Sequence, residues 1–136
     1  MSTKTALKAA KSAIDAKKWD EAKEHANTVL EKDPNNYFAK LFLGRANDGL
    51  SRFDDAASAY KDATKIKPDD AQAWLGLRGM YEGLGPSKVE ENIEVGLKLA
   101  EIYMNLYAHA SVTGKEPSLT STATTPIEAI PQSTSS

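Results

Sequence analysis

A chain of 136 residues with 17 basic and 19 acidic side chains and a formal net charge of −2 offers no electrostatic attraction for a nucleic acid or a membrane surface. It contains no cysteine, which excludes a disulfide framework and thiolate-held zinc. No stretch approaches the roughly 20 apolar residues that span a bilayer, and no apolar core of a secretory signal opens the chain, so a soluble, intracellular protein is expected.

The first 18 residues are rich in Ala and Lys. An organelle-targeting helix would favour Arg and avoid acids, whereas this segment has no Arg and carries Asp15. It reads instead as the first helix of a hairpin over about residues 3–36. Small residues, Ala6, Ala9, Ala10 and Ala13, form its inner face, Trp19 and Ala22 open the second helix, and Asp33-Pro34-Asn35-Asn36 closes it.

The same features return 34 residues later as Phe53, Ala56 and Lys67-Pro68-Asp69-Asp70, marking a second hairpin over about 37–70. Leu41, Leu43 and Leu50 return at that spacing as Leu75, Leu77 and Leu84, with Gly85 in place of Ser51, which marks a third over about 71–108. A fixed period in this range signals stacked helical hairpins, because one hairpin cannot bury its apolar face alone. Pro34 and Pro68 end second helices, and the Asn and Asp residues after them suit turns and helix caps.

After Gly85-Pro86 a final helix is expected from about Lys88 to Tyr107. Val89, Ile93, Leu97, Ala100 and Met104 form one stripe, and Val95, Leu99, Ile102, Tyr103 and Leu106 widen it beyond what one neighbour would cover. Part of that surface calls for a further partner, and self-association through this helix is one option. From about residue 109 to 136 the chain turns to Ser, Thr and Pro, a composition that cannot offset its ordering entropy, so a disordered tail is expected.

These positions resemble the tetratricopeptide repeat family. The middle copy has Leu43, Gly44, Ala56, Tyr60, Ala63 and Pro68 at family positions, while Lys40 and Asn47 depart from the usual aromatics. The third has Trp74, Leu77 and Tyr81 in place, but Arg78 where Gly is usual and Glu90 where the second helix has Ala. The resemblance implies an all-α, right-handed superhelix of about three hairpins over residues 1–108. Gly44 and Ala56 would set the close helix crossing, and Trp74, Tyr81, Phe53 and Tyr60 would fill the space between hairpins.

No catalytic, cofactor-binding or metal-ligating residues stand out, and an enzyme is not expected. His25 and His109 lie far apart with no ligand cluster beside them. Gly76, Gly79, Gly83 and Gly85 sit in or at the end of a helix, where no phosphate cradle forms. Asp54-Asp55 and Glu90-Glu91 are neighbours about 100° apart on a helix and make poor acid and base partners.

In arrays of this family the first helices line a groove, which implies a partner-binding surface made of Lys4, Leu7, Lys11, Phe38, Leu41, Arg45, Gln72 and Leu75. The family's carboxylate clamp for chaperone tails needs basic and Asn residues that are replaced here by Leu7, Phe42, Gln72 and Gly76. The run from Asp33 to Ala46, followed by Ile66 to Leu77, is similar to the N-terminal part of the tetratricopeptide scaffold subunits of fungal superkiller complexes. That resemblance extends to about Leu99–Tyr103. It implies a cytoplasmic scaffold, with the nucleus as the other option, that joins an RNA helicase and WD-repeat subunits and supports exosome-mediated 3′-to-5′ decay of mRNA. The family continues for many more repeats, so a truncated product or fragment is the reading of this length. The alternative is a stand-alone adaptor of the same repeats with another peptide ligand.

Overall fold

The computed structural model describes residues 2–114. Its α-helices are α1 (Thr3–Asp15), α2 (Trp19–Lys32), α3 (Tyr37–Gly49), α4 (Phe53–Ile66), α5 (Ala71–Leu84) and α6 (Val89–Thr113), with one 3-10 turn, Pro86–Lys88, before the last. No strand occurs among the described residues. The chain divides into two units between Ile102 and Tyr103, and the first of them holds the hairpins.

Three side chains at the repeat spacing start the first helix of each hairpin. The Ser2 hydroxyl accepts from the Thr5 amide at 3.1 Å, the Asn36 Oδ1 from the Ala39 amide at 2.9 Å, and the Asp70 Oδ1 from the Gln72 amide at 3.0 Å. Each such cap satisfies an amide that the helix itself cannot, and contributes about 1 kcal/mol. The second helices α2 and α4 lack a side-chain cap, but Asp20-Glu21 and Asp54-Asp55 lie in their first turns. There the acids complement the helix dipole, which accounts for those adjacent carboxylates. Both helices stop two residues short of Pro34 and Pro68, because the residue before proline is driven out of the helical region.

The turns inside the hairpins also repeat. Lys17 has φ 60°, Ser51 φ 61° and Gly85 φ 88°. After α1 the Lys17 amide donates to the Ile14 carbonyl and the Lys18 amide to Ala13; after α3 Ser51 and Arg52 donate to Asp48 and Asn47 in the same pattern. These paired bonds form the Schellman motif, which needs a left-handed residue at the position of Lys17 and Ser51.

Each of the helices α1 to α4 packs on the next, and the first helices lie side by side, α1 on α3 and α3 on α5. One residue from each of α1, α2 and α3 meets in every layer of the first core. The layers are Ala6 with Val29 and Ala39, Ala10 with Ala26 and Phe42, and Ala13 with Ala22 and Ala46. Alanine along α1 lets the backbones approach closely, so burial comes from proximity rather than from bulk.

Further along, the Tyr60 ring of α4 fits between two glycines. A Cβ on Gly44 would lie 2.7 Å from it, and one on Gly76 would lie 2.5 Å from it. Gly44, Ala56, Tyr60 and Ala63 are all buried, as are Leu77 and Tyr81; Leu43 is half-buried and packs on Phe42. Trp74 is half-buried and its indole N–H donates to the Pro68 carbonyl at 2.8 Å, tying α5 to the turn before it. Lys40, at an aromatic family position, makes an ion pair with Asp62 at 3.0 Å instead, and Asn47 is buried.

Phe53 departs from expectation. It is 40% exposed rather than inserted between hairpins. One repeat earlier the Trp19 indole covers Gly49, but the smaller phenyl ring leaves Gly83, the equivalent glycine, with nothing in reach of a Cβ.

The last helix turns Val95, Leu99 and Ile102 inward, while Val89, Ile93 and Leu97 are exposed. It also continues past the expected end at Tyr107 to Thr113, helped by Ala108 and Ala110, and stops at Gly114 with φ 78°. The expected boundary between array and tail near residue 109 therefore falls inside a helix. In the second unit, Met104, Leu106 and Tyr107 are exposed. The rest of the expected Ser/Thr/Pro tail, residues 115–136, lies outside the described residues.

Candidate functional site

The surface of the first-helix layer is the place where three repeats present side chains together. On α1, Lys4 and Lys11 are exposed and Leu7 is half-buried; Leu7 packs under the first two core layers. Lys11 is held by Asp15 one turn on, at 3.3 Å. On α5, Gln72 is exposed and Leu75 half-buried.

The centre of the surface belongs to α3. Arg45 is half-buried and its guanidinium donates to the Gln72 Oε1 at 3.4 Å, so the second and third repeats are joined across the face. Phe38 is 39% exposed and contacts the Tyr37 ring edge-on at 5.2 Å and the Phe42 ring at 6.1 Å. The Lys67 ammonium sits 5.2 Å from both the Tyr37 and Phe38 rings, a cation–π arrangement that orders this end of the surface.

Leu41 corrects the expected set. It is completely buried, because α3 has α1 on one side and α5 on the other. The equivalent leucines, Leu7 and Leu75, belong to first helices at either end and keep part of their surface. Leu41 is a core residue that supports the face without being available to a ligand. Asp48, not anticipated, is exposed one turn beyond Arg45. The spacing of Phe38, Leu41, Arg45 and Asp48 puts all four on one helix side, which is the signal that identifies it.

The polar support under the surface is specific. The Tyr37 hydroxyl donates to Asp70 at 2.8 Å and accepts from the Ala73 amide at 3.3 Å, linking the start of α3 to the cap of α5. Burial pushes the Tyr37 phenol above its ordinary range, and the bond to Asp70 and that carboxylate's charge act in the same direction. Burial also raises Tyr60, with the Asp48 charge adding to it, and partial desolvation raises Asp48 itself. The two phenols therefore stay neutral to a higher pH than a free tyrosine does.

Of the residues that stand at the family's clamp positions, Phe42 is buried with Ala10 and Ala26, and Gly76 lies beneath the Tyr60 ring. Among the described residues no group of His, Cys, Asp or Glu is arranged to hold a metal ion. No helix among them is long and apolar enough to cross a membrane.

The tetratricopeptide repeat family model matches residues 7–71 and 48–85, and the chain belongs to that family. It is 42% identical over 101 residues to superkiller complex protein 3 of Homo sapiens, covering 74% of this chain and 6% of the relative. It is also 42% identical over 79 residues, 58% of this chain, to superkiller protein 3 of Schizosaccharomyces pombe, again 6% of the relative. The chain therefore spans only a small part of the length of these curated relatives. Among solved structures, MamA MSR-1 C2 superposes with a TM-score of 0.68 at 27% identity, covering 76% of this chain and 59% of the other. The chain is a tetratricopeptide array similar to superkiller protein 3, which supports a protein-interaction scaffold.

Proposed function

We propose that the first-helix face holds an extended segment of a partner protein, and that the chain acts as a scaffold in a superkiller-type complex. What supports the groove most directly is the Arg45–Gln72 bond, which joins two repeats under an exposed surface. Lys4 and Lys11 lie on the flanking helix, and Leu7, Phe38 and Leu75 offer apolar area. Such a mixture suits a peptide with acidic residues spaced by apolar ones, gripped by charge-assisted hydrogen bonds and shallow apolar contacts.

The similarity to superkiller protein 3 carries the wider reading. The partners are then an RNA helicase and WD-repeat subunits, the setting is the cytoplasm, and the outcome is support of exosome-mediated 3′-to-5′ decay of mRNA. The chain performs no chemistry of its own in this reading. The test is affinity capture of the tagged full chain from cell extract, with companions identified by mass spectrometry. A helicase arriving together with a WD-repeat protein is expected; a reproducible set of companions containing neither would overturn the superkiller reading.

A further inference from the structure

The joint between the second and third hairpins repeats the one between the first and second, 34 residues on, and differs from it in two respects. At the earlier joint the Trp19 indole of α2 covers Gly49 of α3, so a Cβ there would meet the ring. Beside it Lys18 makes an ion pair with Glu21 at 3.9 Å. At the later joint Phe53 of α4 stands in the place of Trp19 and reaches less far, and Gly83 of α5 has nothing within 4 Å of a Cβ. Arg52 and Asp55 stand in the places of Lys18 and Glu21. The acid is one methylene shorter, and among the described residues neither Arg52 nor Asp54 nor Asp55 enters an ion pair.

Both differences leave a cleft open. It measures about 550 Å³ and is lined by Ser51, Arg52, Phe53, Asp54, Asp55 and Leu84. That volume lies in the range of sites that bury small ligands, about 300–1,000 Å³. Phe53 is 40% exposed and Leu84 half-buried, so the cleft offers apolar area. Its charged groups are two carboxylates against one guanidinium, a net acidic rim.

We propose that this cleft takes an aromatic side chain, an indole above all, from a partner segment in which Lys or Arg lies next to it. The earlier joint is the template, since the same backbone arrangement there holds the Trp19 indole on Gly49. A ring inserted beside Phe53 buries a large apolar area and gains an aromatic contact. A flanking cation meets Asp54 and Asp55 in charge-assisted bonds. A second copy of this chain offers no indole, because Trp19 is seated on Gly49 and Trp74 is tied to the Pro68 carbonyl. Residues 115–136 contain no aromatic residue. The lining residues belong to the second and third hairpins alone, and none of them is in the set on the first-helix face.

The test follows the amide signals of the isotope-labelled full chain by NMR during titration with acetyl-Lys-Trp-Lys-amide. Shifts centred on residues 51–55 and 83–84 are expected, with a dissociation constant of about 1 mM. Acetyl-Lys-Leu-Lys-amide and acetyl-Glu-Trp-Glu-amide should each bind about fivefold more weakly. Phe53→Trp places the chain's own ring in the cleft, and should weaken binding about tenfold while raising Tm. Gly83→Leu, which fills the same space from α5, should weaken it as well, and Arg45→Glu on the first-helix face should leave it intact. Unchanged binding in both cleft-filling variants, equal binding of the Leu peptide, shifts confined to the first-helix face, or no binding would overturn the proposal.

Discussion

Gly76→Ala and Gly79→Ala place the same methyl group in the same helix, and they should change stability in opposite directions. In a helix interior alanine is favoured over glycine by about 1 kcal/mol. At Gly79 nothing lies within 4 Å of the new Cβ, so this gain stands. At Gly76 the Cβ would sit 2.5 Å from Tyr60 Cε1, well inside the ordinary carbon contact distance of about 3.5–4.0 Å. The ring cannot retreat, because Gly44 closes its other side, where a Cβ would lie 2.7 Å away, and Tyr60 is only 3% exposed. Either α5 must move away from α4 or the ring must leave its rotamer, at a cost of about 1–3 kcal/mol. Gly79→Ala should therefore gain about 0.5–1 kcal/mol and Gly76→Ala lose about 1–2 kcal/mol net. For an array of this size the gap corresponds to a Tm difference on the order of 10 °C. Circular dichroism melts and urea titrations would read it. In Tyr60→Ala the methyl at residue 76 should be tolerated, so the double variant loses less than the sum of the singles. Equal and same-signed effects of the two glycine substitutions would refute the wedge.

Three further predictions concern the joints of the array. Tyr37→Phe removes the bond to Asp70 and should cost about 1–2 kcal/mol in urea unfolding near neutral pH. The folded phenol titrates above its ordinary value near 10, so its contribution is complete below that pH and is lost as pH rises above it; Tyr37→Phe should lose less stability than wild type between about pH 9 and 11. Ser51→Gly relieves a left-handed non-glycine residue and should stabilise by about 0.5–1 kcal/mol, whereas Gly85→Ala, at φ 88° and ψ −161°, should destabilise by about 1–3 kcal/mol. Leu41→Ala should behave as a core deletion, lowering stability by about 2–5 kcal/mol, as thermal melts will show.

The joints were legible in the sequence because each is set locally. The caps at Asn36 and Asp70, the stops before Pro34 and Pro68, and the small residues at Gly44 and Ala56 follow from residue type and spacing. The left-handed turns at Lys17 and Ser51 were not, since neither residue favours that conformation and only the repeat-equivalent Gly85 hints at it. Which stripe of α6 points inward was also hidden, because both rows are apolar and the pattern alone cannot choose between Val95–Leu99–Ile102 and Val89–Ile93–Leu97. Leu41 shows the same difficulty in the groove. Its helical position matches that of Leu7 and Leu75, and only the presence of neighbours on both sides of α3 buries it. Phe53 differs from Trp19 by the size of one ring, which decides whether the glycine opposite is covered.

Arg45→Glu compared with Arg52→Glu tests the groove most directly. Both make the same change of charge, but Arg45 lies on the first-helix face bonded to Gln72, and Arg52 is exposed in the turn between α3 and α4. Capture of partner proteins by each tagged chain, with helicity checked by circular dichroism, should show Arg45→Glu retaining about one tenth or less of the wild-type companions and Arg52→Glu retaining them fully. Equal capture by the two variants would contradict a binding site on the first-helix face.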